Sequence, residues 1–192
     1  MGESTRILVV AATARELATP DGWLTLTCGV GPVEAAATTA AAIAELKPHA
    51  ILHVGIAGAR RAAQLAPASV VIGSESRYCD LEVPAEWASS VVVPSIVLLS
   101  AATRVLPSAP QLPIGTSARV GGTMDCAVEA MEGFGVLRSA QLAGVPAVEV
   151  RAIANEIEER DRARWHFDAA FAAITAMTPL LVAELRRTLA RA

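Results

Sequence analysis

Residues 6–12 read RILVVAA, and the fold is read outward from them. After Arg6 the run is unbroken and apolar, with paired β-branched side chains. That pattern suits a strand buried on both faces, the mark of a sheet covered by helices rather than of a half-exposed hairpin. Pro20-Asp21-Gly22 is a turn, and residues 23–28, WLTLTC, alternate as the next strand. Gly29-Val30-Gly31-Pro32 then opens a helix over residues 33–46, with Pro32 at the first turn where its missing N–H costs nothing, and Lys47-Pro48 closes it. Residues 50–54, AILHV, form a strand ending in Gly55-Ile56-Ala57-Gly58, and residues 69–75 form another. Residues 84–113 hold five prolines (Pro84, Pro94, Pro107, Pro110, Pro113) around one helix near 95–106. A short strand is expected over 117–121 and a helix over 128–143, ending at Gly144. Residues 145–153 complete the strands. A long helix runs over 168–189, with Pro179 expected to kink or break it. Strands alternate with helices, so the class is α/β, with a largely parallel sheet covered on both faces, in a single domain spanning residues 1–192.

Composition narrows the function. The 192-residue chain is 53% hydrophobic and only 18% charged, so it can bury enough surface to offset its ordering entropy. Its net charge is −3, Lys47 is the only lysine, and the arginines are scattered without aromatic interleaving. A nucleic-acid surface is therefore not expected. Cys28, Cys79 and Cys126 are odd in number and widely spaced, which fits reduced thiols in a cytoplasmic protein and neither a disulfide framework nor a zinc site. The N-terminal stretch reads as a strand rather than a signal peptide. The apolar stretch 91–106 is interrupted by Pro94, Ser95, Ser100, Thr103 and Arg104 and falls short of the roughly 20 residues that span a bilayer, so no membrane partner is expected.

In covered parallel sheets, ligands bind beyond the carboxyl ends of the strands. Those ends are Ala11–Glu16, Cys28–Gly31, Gly55–Gly58 and Ala152–Glu156, several of them small residues that let a ligand approach backbone N–H groups. Glu16 and Asn155 converge there, with Glu132 as a third polar group from the helix before the last strand. Gly29-x-Gly31 lacks the third glycine of a dinucleotide fingerprint, Glu34 standing in its place, and no P-loop, HExxH or GxSxG motif occurs. His49, His53 and His166 are not spaced as metal ligands; His53, inside a strand, reads as a hydrogen-bonded core histidine. No metal or cofactor is expected.

Five segments in order, ILVVAATARE, CGVGPVEAAA, HVGIAGA, VEAMEGFGV and VEVRAIAN, resemble the purine nucleoside phosphorylase and nucleosidase superfamily, from about residue 6 to residue 190, and most nearly its futalosine hydrolase branch. The resemblance implies a three-layer αβα sandwich with a central mixed, largely parallel sheet. It implies a nucleosidase that hydrolyses the N-glycosidic bond of a 6-oxopurine nucleoside, most nearly futalosine to hypoxanthine plus dehypoxanthinyl futalosine in menaquinone biosynthesis. Its rivals are a methylthioadenosine/S-adenosylhomocysteine nucleosidase and a non-catalytic nucleoside-binding relative. Glu16 matches the family's water-activating glutamate, and a positioned base of that kind contributes about 10²–10⁴-fold. Met131 and Glu132 match the pair at the ribose, where a carboxylate also favours an oxocarbenium-like transition state. Asn155 stands where adenine-specific relatives carry Asp; its amide can donate to a 6-oxo group and N7. Ile56, Ala57 and Gly58 match the small-residue loop, and Val30 and Phe167 match walls of the 5′ pocket. Glu129 is expected to be a solvated acid. Arg77-Tyr78-Cys79-Asp80 matches a segment near the family's subunit interface, and a homodimer or higher homo-oligomer follows from the resemblance.

Water is favoured over phosphate as the acceptor. Related phosphorylases place an Arg on the strand before the small-residue loop and a Ser or Thr in the loop, where this chain has His53 and Ile56. Neither holds a dianion as a guanidinium does; Arg15 is the one cation beside Glu16. The chain departs from the family by a shortened 121–128 region, which normally supplies the aromatic stacked on the purine. Met124 and Phe134 are the nearby substitutes.

Overall fold

The computed structural model describes residues 5–84, 86–123 and 125–191. Among the described residues, eight strands and four α-helices follow one another: β1 (Ile7–Ala11), β2 (Leu24–Thr27), α1 (Pro32–Leu46), β3 (Ala50–Ala59), β4 (Val70–Tyr78), β5 (Val91–Val92), α2 (Ile96–Val105), β6 (Gln111–Thr116), β7 (Val128–Ala130), α3 (Gly133–Leu142), β8 (Ala147–Glu156) and α4 (Phe167–Leu189). β1 is buried at all five positions, and β8 at nine of its ten, as strands covered on both faces must be. Parallel pairing joins β2 to β1, β1 to β3, β3 to β8, β4 to β6 and β6 to β7; β3–β7, β4–β5 and β4–β8 are antiparallel. The sheet is thus mixed and largely parallel. Its pairings also close a ring, β3–β7–β6–β4–β8–β3, at one end.

Helices α2 and α4 cover one face of the sheet, packing Leu98, Ile174, Leu181 and Leu185 on Val9, Leu52 and Val150. Helices α1 and α3 cover the other, packing Ala35, Ile43, Val136 and Ala140 on Leu8, Val10 and Ile51. A third cluster, including Val71, Ile114, Val128 and Ile153, belongs to strands of the ring. By length and composition α4 is long and apolar enough to cross a bilayer; one face of it, with Ala170, Ile174, Thr178, Leu181, Val182 and Leu185, is buried against the sheet.

Several boundaries correct the sequence reading. Gly55–Gly58 lies inside β3, not after it, because β8 pairs alongside as far as Glu156. The strand expected over 117–121 is instead β6, residues Gln111–Thr116, and contains Pro113. A register shift between Gly73 and Glu75 accommodates that proline, which cannot donate to the ladder. The helix expected from residue 128 begins at Gly133, preceded by the three-residue β7. Helix α4 runs through Pro179 without a break.

Candidate active site

A cavity of about 650 Å³ opens where β1, β3, β7 and β8 end. Its lining includes Glu16, Val30, Ile56, Ala57, Gly58, Met131, Glu132, Asn155 and Phe167. All nine site residues singled out from the sequence therefore face one space, although they come from six separate segments.

Glu16 ends a 3-10 turn (Ala14–Glu16) that follows β1, and it is buried. One carboxylate oxygen accepts from the Thr13 N–H (2.8 Å) and Thr13 hydroxyl (2.9 Å), and the other accepts from the Ile56 N–H (3.0 Å). A carboxylate offers about four acceptor positions, so one remains for a ligand or a water. Gly55 makes this approach possible: a Cβ there would lie 2.8 Å from the Glu16 carboxylate and closer still to the Arg151 guanidinium.

Glu132 sits at the N-cap of α3 rather than inside a helix. Its Oε1 accepts from the Gly31 N–H at the head of α1 (3.2 Å), and its Oε2 lies 3.4 Å from Arg151 Nη1. Burial raises its pKa above the ordinary glutamate value; Arg151 and the Gly31 N–H counteract only part of that.

Asn155 is placed by a bulge. β3 and β8 pair Ala57 with Ile153 but Gly58 with Asn155, so Ala154 is the extra residue. Such a bulge re-aims the side chain that follows it. A Cβ on Gly58 would lie 3.1 Å from the Asn155 amide nitrogen, so glycine makes the room. That nitrogen donates to the Glu156 carbonyl (2.9 Å), which leaves its second hydrogen unused.

Arg151, beside the candidate site, is a residue that sequence reasoning did not single out. It is fully buried on β8 behind the cavity, with Nε 2.8 Å from Glu149 Oε1 and Nη2 2.5 Å from His53 Nε2. An arginine can only donate, so His53 Nε2 accepts and its protonated Nδ1 donates to the Val10 carbonyl (3.0 Å). Burial and the Arg151 charge hold His53 well below its usual pKa, so it is a neutral core histidine. The segment VEVRAI marks Arg151 as a strand residue but gives it no partner; the β3–β8 pairing, which sets His53 opposite Glu149, reveals its partners.

Other expectations need correcting. Glu129 is 5% exposed, not solvated, and lines the cavity from β7. Phe134 stacks on Tyr78 (centroids 5.3 Å apart) and does not line the cavity, while Met124 lies outside the described residues. Arg15 points outward, paired with Asp168 at 2.9 Å and 67% exposed. Phe167 packs between Trp165 and Phe171, which line the same end of the cavity with Arg162. Among the described residues, no group of three or more His, Cys, Asp or Glu side chains could hold a metal ion. The three cysteines are free thiols, and burial pushes that of Cys28 up to about 12.

Residues 23–113 match the family model of the phosphorylase superfamily. Over 182 residues the chain is 33% identical to the futalosine hydrolase of Streptomyces coelicolor, covering 81% of this chain and 77% of that protein. The chain belongs to the phosphorylase superfamily, in its futalosine hydrolase family. Solved structures share the family's fold. A methylthioadenosine/S-adenosylhomocysteine nucleosidase from Colwellia psychrerythraea, in complex with adenine, superposes with a TM-score of 0.81 at 18% identity, over 97% of this chain and 96% of that one. The futalosine hydrolase of Helicobacter pylori gives 0.81 at 16% identity, over 94% and 98%.

Proposed function

We propose that this chain is a purine nucleosidase that hydrolyses futalosine, releasing hypoxanthine. The observation that carries the reading is the convergence of Glu16, Glu132 and Asn155 on one cavity. Glu16 has an acceptor position left to take the proton of an attacking water. Glu132, anionic, accepts from the ribose hydroxyls and offsets the positive charge that develops on the sugar as the glycosidic bond stretches. Asn155 donates its unused amide hydrogen to the 6-oxo purine, which leaves as a stabilised anion. Water rather than phosphate is the acceptor in this reading. Of the guanidinium groups described there, Arg151 is committed to Glu149, Glu132 and His53, and Arg15 is paired outward with Asp168.

The assembly proposed is a cytoplasmic homodimer or higher homo-oligomer. The odd number and wide spacing of the cysteines support the compartment. Exposed apolar side chains support self-association: Val30 at the cavity lip, and Val33, Trp87, Val93 and Ile96. Light scattering on the purified protein tests the stoichiometry.

Chromatography of reactions with futalosine, inosine and methylthioadenosine, each with and without phosphate, tests the activity. Hypoxanthine from futalosine at a rate independent of phosphate is the expected result. Free adenine as the main product would make the chain a methylthioadenosine-type nucleosidase, and tight purine binding without turnover would make it a binding protein.

A further inference from the structure

The connection between β6 and β7, residues 117–127 (SARVGGTMDCA), is poor in anchoring apolar side chains and contains two adjacent glycines. Nevertheless Ala118 and Val120 form part of the cavity wall. Three charged side chains hold the segment. At its start, Asp80 accepts from the Ser117 hydroxyl (2.8 Å) and the Ala118 N–H (2.6 Å). At its end, Arg60 donates to the Cys126 carbonyl (3.0 Å) and to the Thr123 carbonyl. Between them Glu129 accepts from the Gly121 N–H (2.6 Å), the Thr123 N–H (3.3 Å) and the Thr123 hydroxyl (2.9 Å).

Of the two acids, only Glu129 is buried, and β7 explains how. Val128 and Ala130 belong to the apolar cluster of the ring, so the period of two turns Glu129 to the opposite side. Glu129 pairs with Gly58, and Gly58 pairs with Asn155. The clamp therefore lies at the Asn155 end of the cavity.

We propose that Glu129 is a positioning residue for the base subsite. Its buried carboxylate folds residues 118–123 into the wall beside a purine held by Asn155, an assignment of the subsite that rests on the nucleosidase reading above. All three of its described hydrogen bonds go to the loop, so it acts through the wall and not on the reacting atoms.

Hydrogen exchange on the ligand-free protein, hypoxanthine titration and initial rates with futalosine, applied to wild type, Glu129→Gln and Thr123→Val, test this. A glutamine keeps one acceptor oxygen and turns an NH2 group against a loop N–H. In Glu129→Gln the Gly121 and Thr123 amides should exchange about tenfold faster, the equivalent of one lost hydrogen bond to a charged group. Hypoxanthine affinity should fall and KM should rise by a similar factor, with kcat held within about twofold. Thr123→Val, which keeps both amide bonds, should move all three in the same direction by less, and it carries the test if Glu129→Gln does not fold. Unchanged exchange at Gly121 and Thr123 would overturn the proposal. So would a fall in kcat with exchange and hypoxanthine affinity intact, because Glu129 would then be acting on the reacting atoms. If the wild type releases no purine, the nucleosidase reading fails by itself, while the exchange experiment still decides whether Glu129 clamps the loop.

Discussion

Glu16 has three donors and one acceptor position left over, and that remainder is what a general base needs. Glu16→Gln keeps the shape, removes the charge and sets an NH2 group against a donor. We expect kcat to fall by about 10²–10⁴-fold with KM little changed, as for loss of a positioned base. A single-turnover assay measures it, and a loss smaller than tenfold would reassign the base. Asn155 makes a second prediction. An aspartate there would be an acceptor only, facing the oxygen of a 6-oxo purine and deprived of its amide donation to Glu156. Asn155→Asp should lower kcat/KM for futalosine by about 10–100-fold, the effect of one unpaired buried polar contact, and raise the relative rate on adenine nucleosides. Competition between futalosine and methylthioadenosine reads this directly; unchanged preference would remove Asn155 from base recognition.

At the scale of elements, α3 begins where two carboxylates meet. A Cβ on Gly133 would lie 2.7 Å from Glu149 Cδ, with the carboxylate oxygens nearer still. Alanine is the better helix former, so at an open site this change would stabilise by up to about 1 kcal/mol. Here Glu149 is fully buried and fixed by Arg151, and Gly133→Ala should destabilise by about 1–3 kcal/mol, the usual cost of overpacking. Urea unfolding measures it, and a variant as stable as wild type would mean that Glu149 turns aside freely. The same elements show what sequence can and cannot reveal. β1, β2, α1, α2 and α4 were legible to within two residues because each carries its own periodicity or capping residue. β7 falls inside the helix that the sequence predicts over 128–143, because three residues show no period and its pairing with β3 and β6 is entirely long-range. Glu16, Glu132 and Asn155 were legible because strand ends and family-like segments mark them. Glu129 and Arg151 were not, because what sets them apart is burial and partners supplied by distant strands.

At the scale of the molecule, closing the ring brings β8 beside β3 and gathers Arg151, Glu149 and His53 behind Glu132 at its end of the cavity. With His53 neutral, Arg151 is the one cation of this group, beside three buried carboxylates, Glu132, Glu149 and Glu16. Burial above all, with the Glu16 and Glu149 charges adding to it against the pull of Arg151 and the Gly31 N–H, holds the pKa of Glu132 above its usual value of 4.5. Two consequences of opposite sign follow. If catalysis needs the anion, the acid limb of kcat/KM against pH must lie above 4.5, since Glu132 releases its proton late. Stability moves the other way. A carboxyl whose folded pKa exceeds the unfolded value contributes stability that is fully present below the unfolded pKa and is lost as pH rises through the folded one. Relative to Glu132→Gln, which cannot titrate, the wild type should therefore lose unfolding free energy as pH rises from about 4.5 through the raised pKa, over the same interval in which its activity appears. Urea unfolding of both proteins across that interval, alongside the wild-type rate profile, tests the coupling. A constant stability difference, or an acid limb at or below 4.5, would show that Arg151 compensates Glu132 fully and that the site carries no charge imbalance.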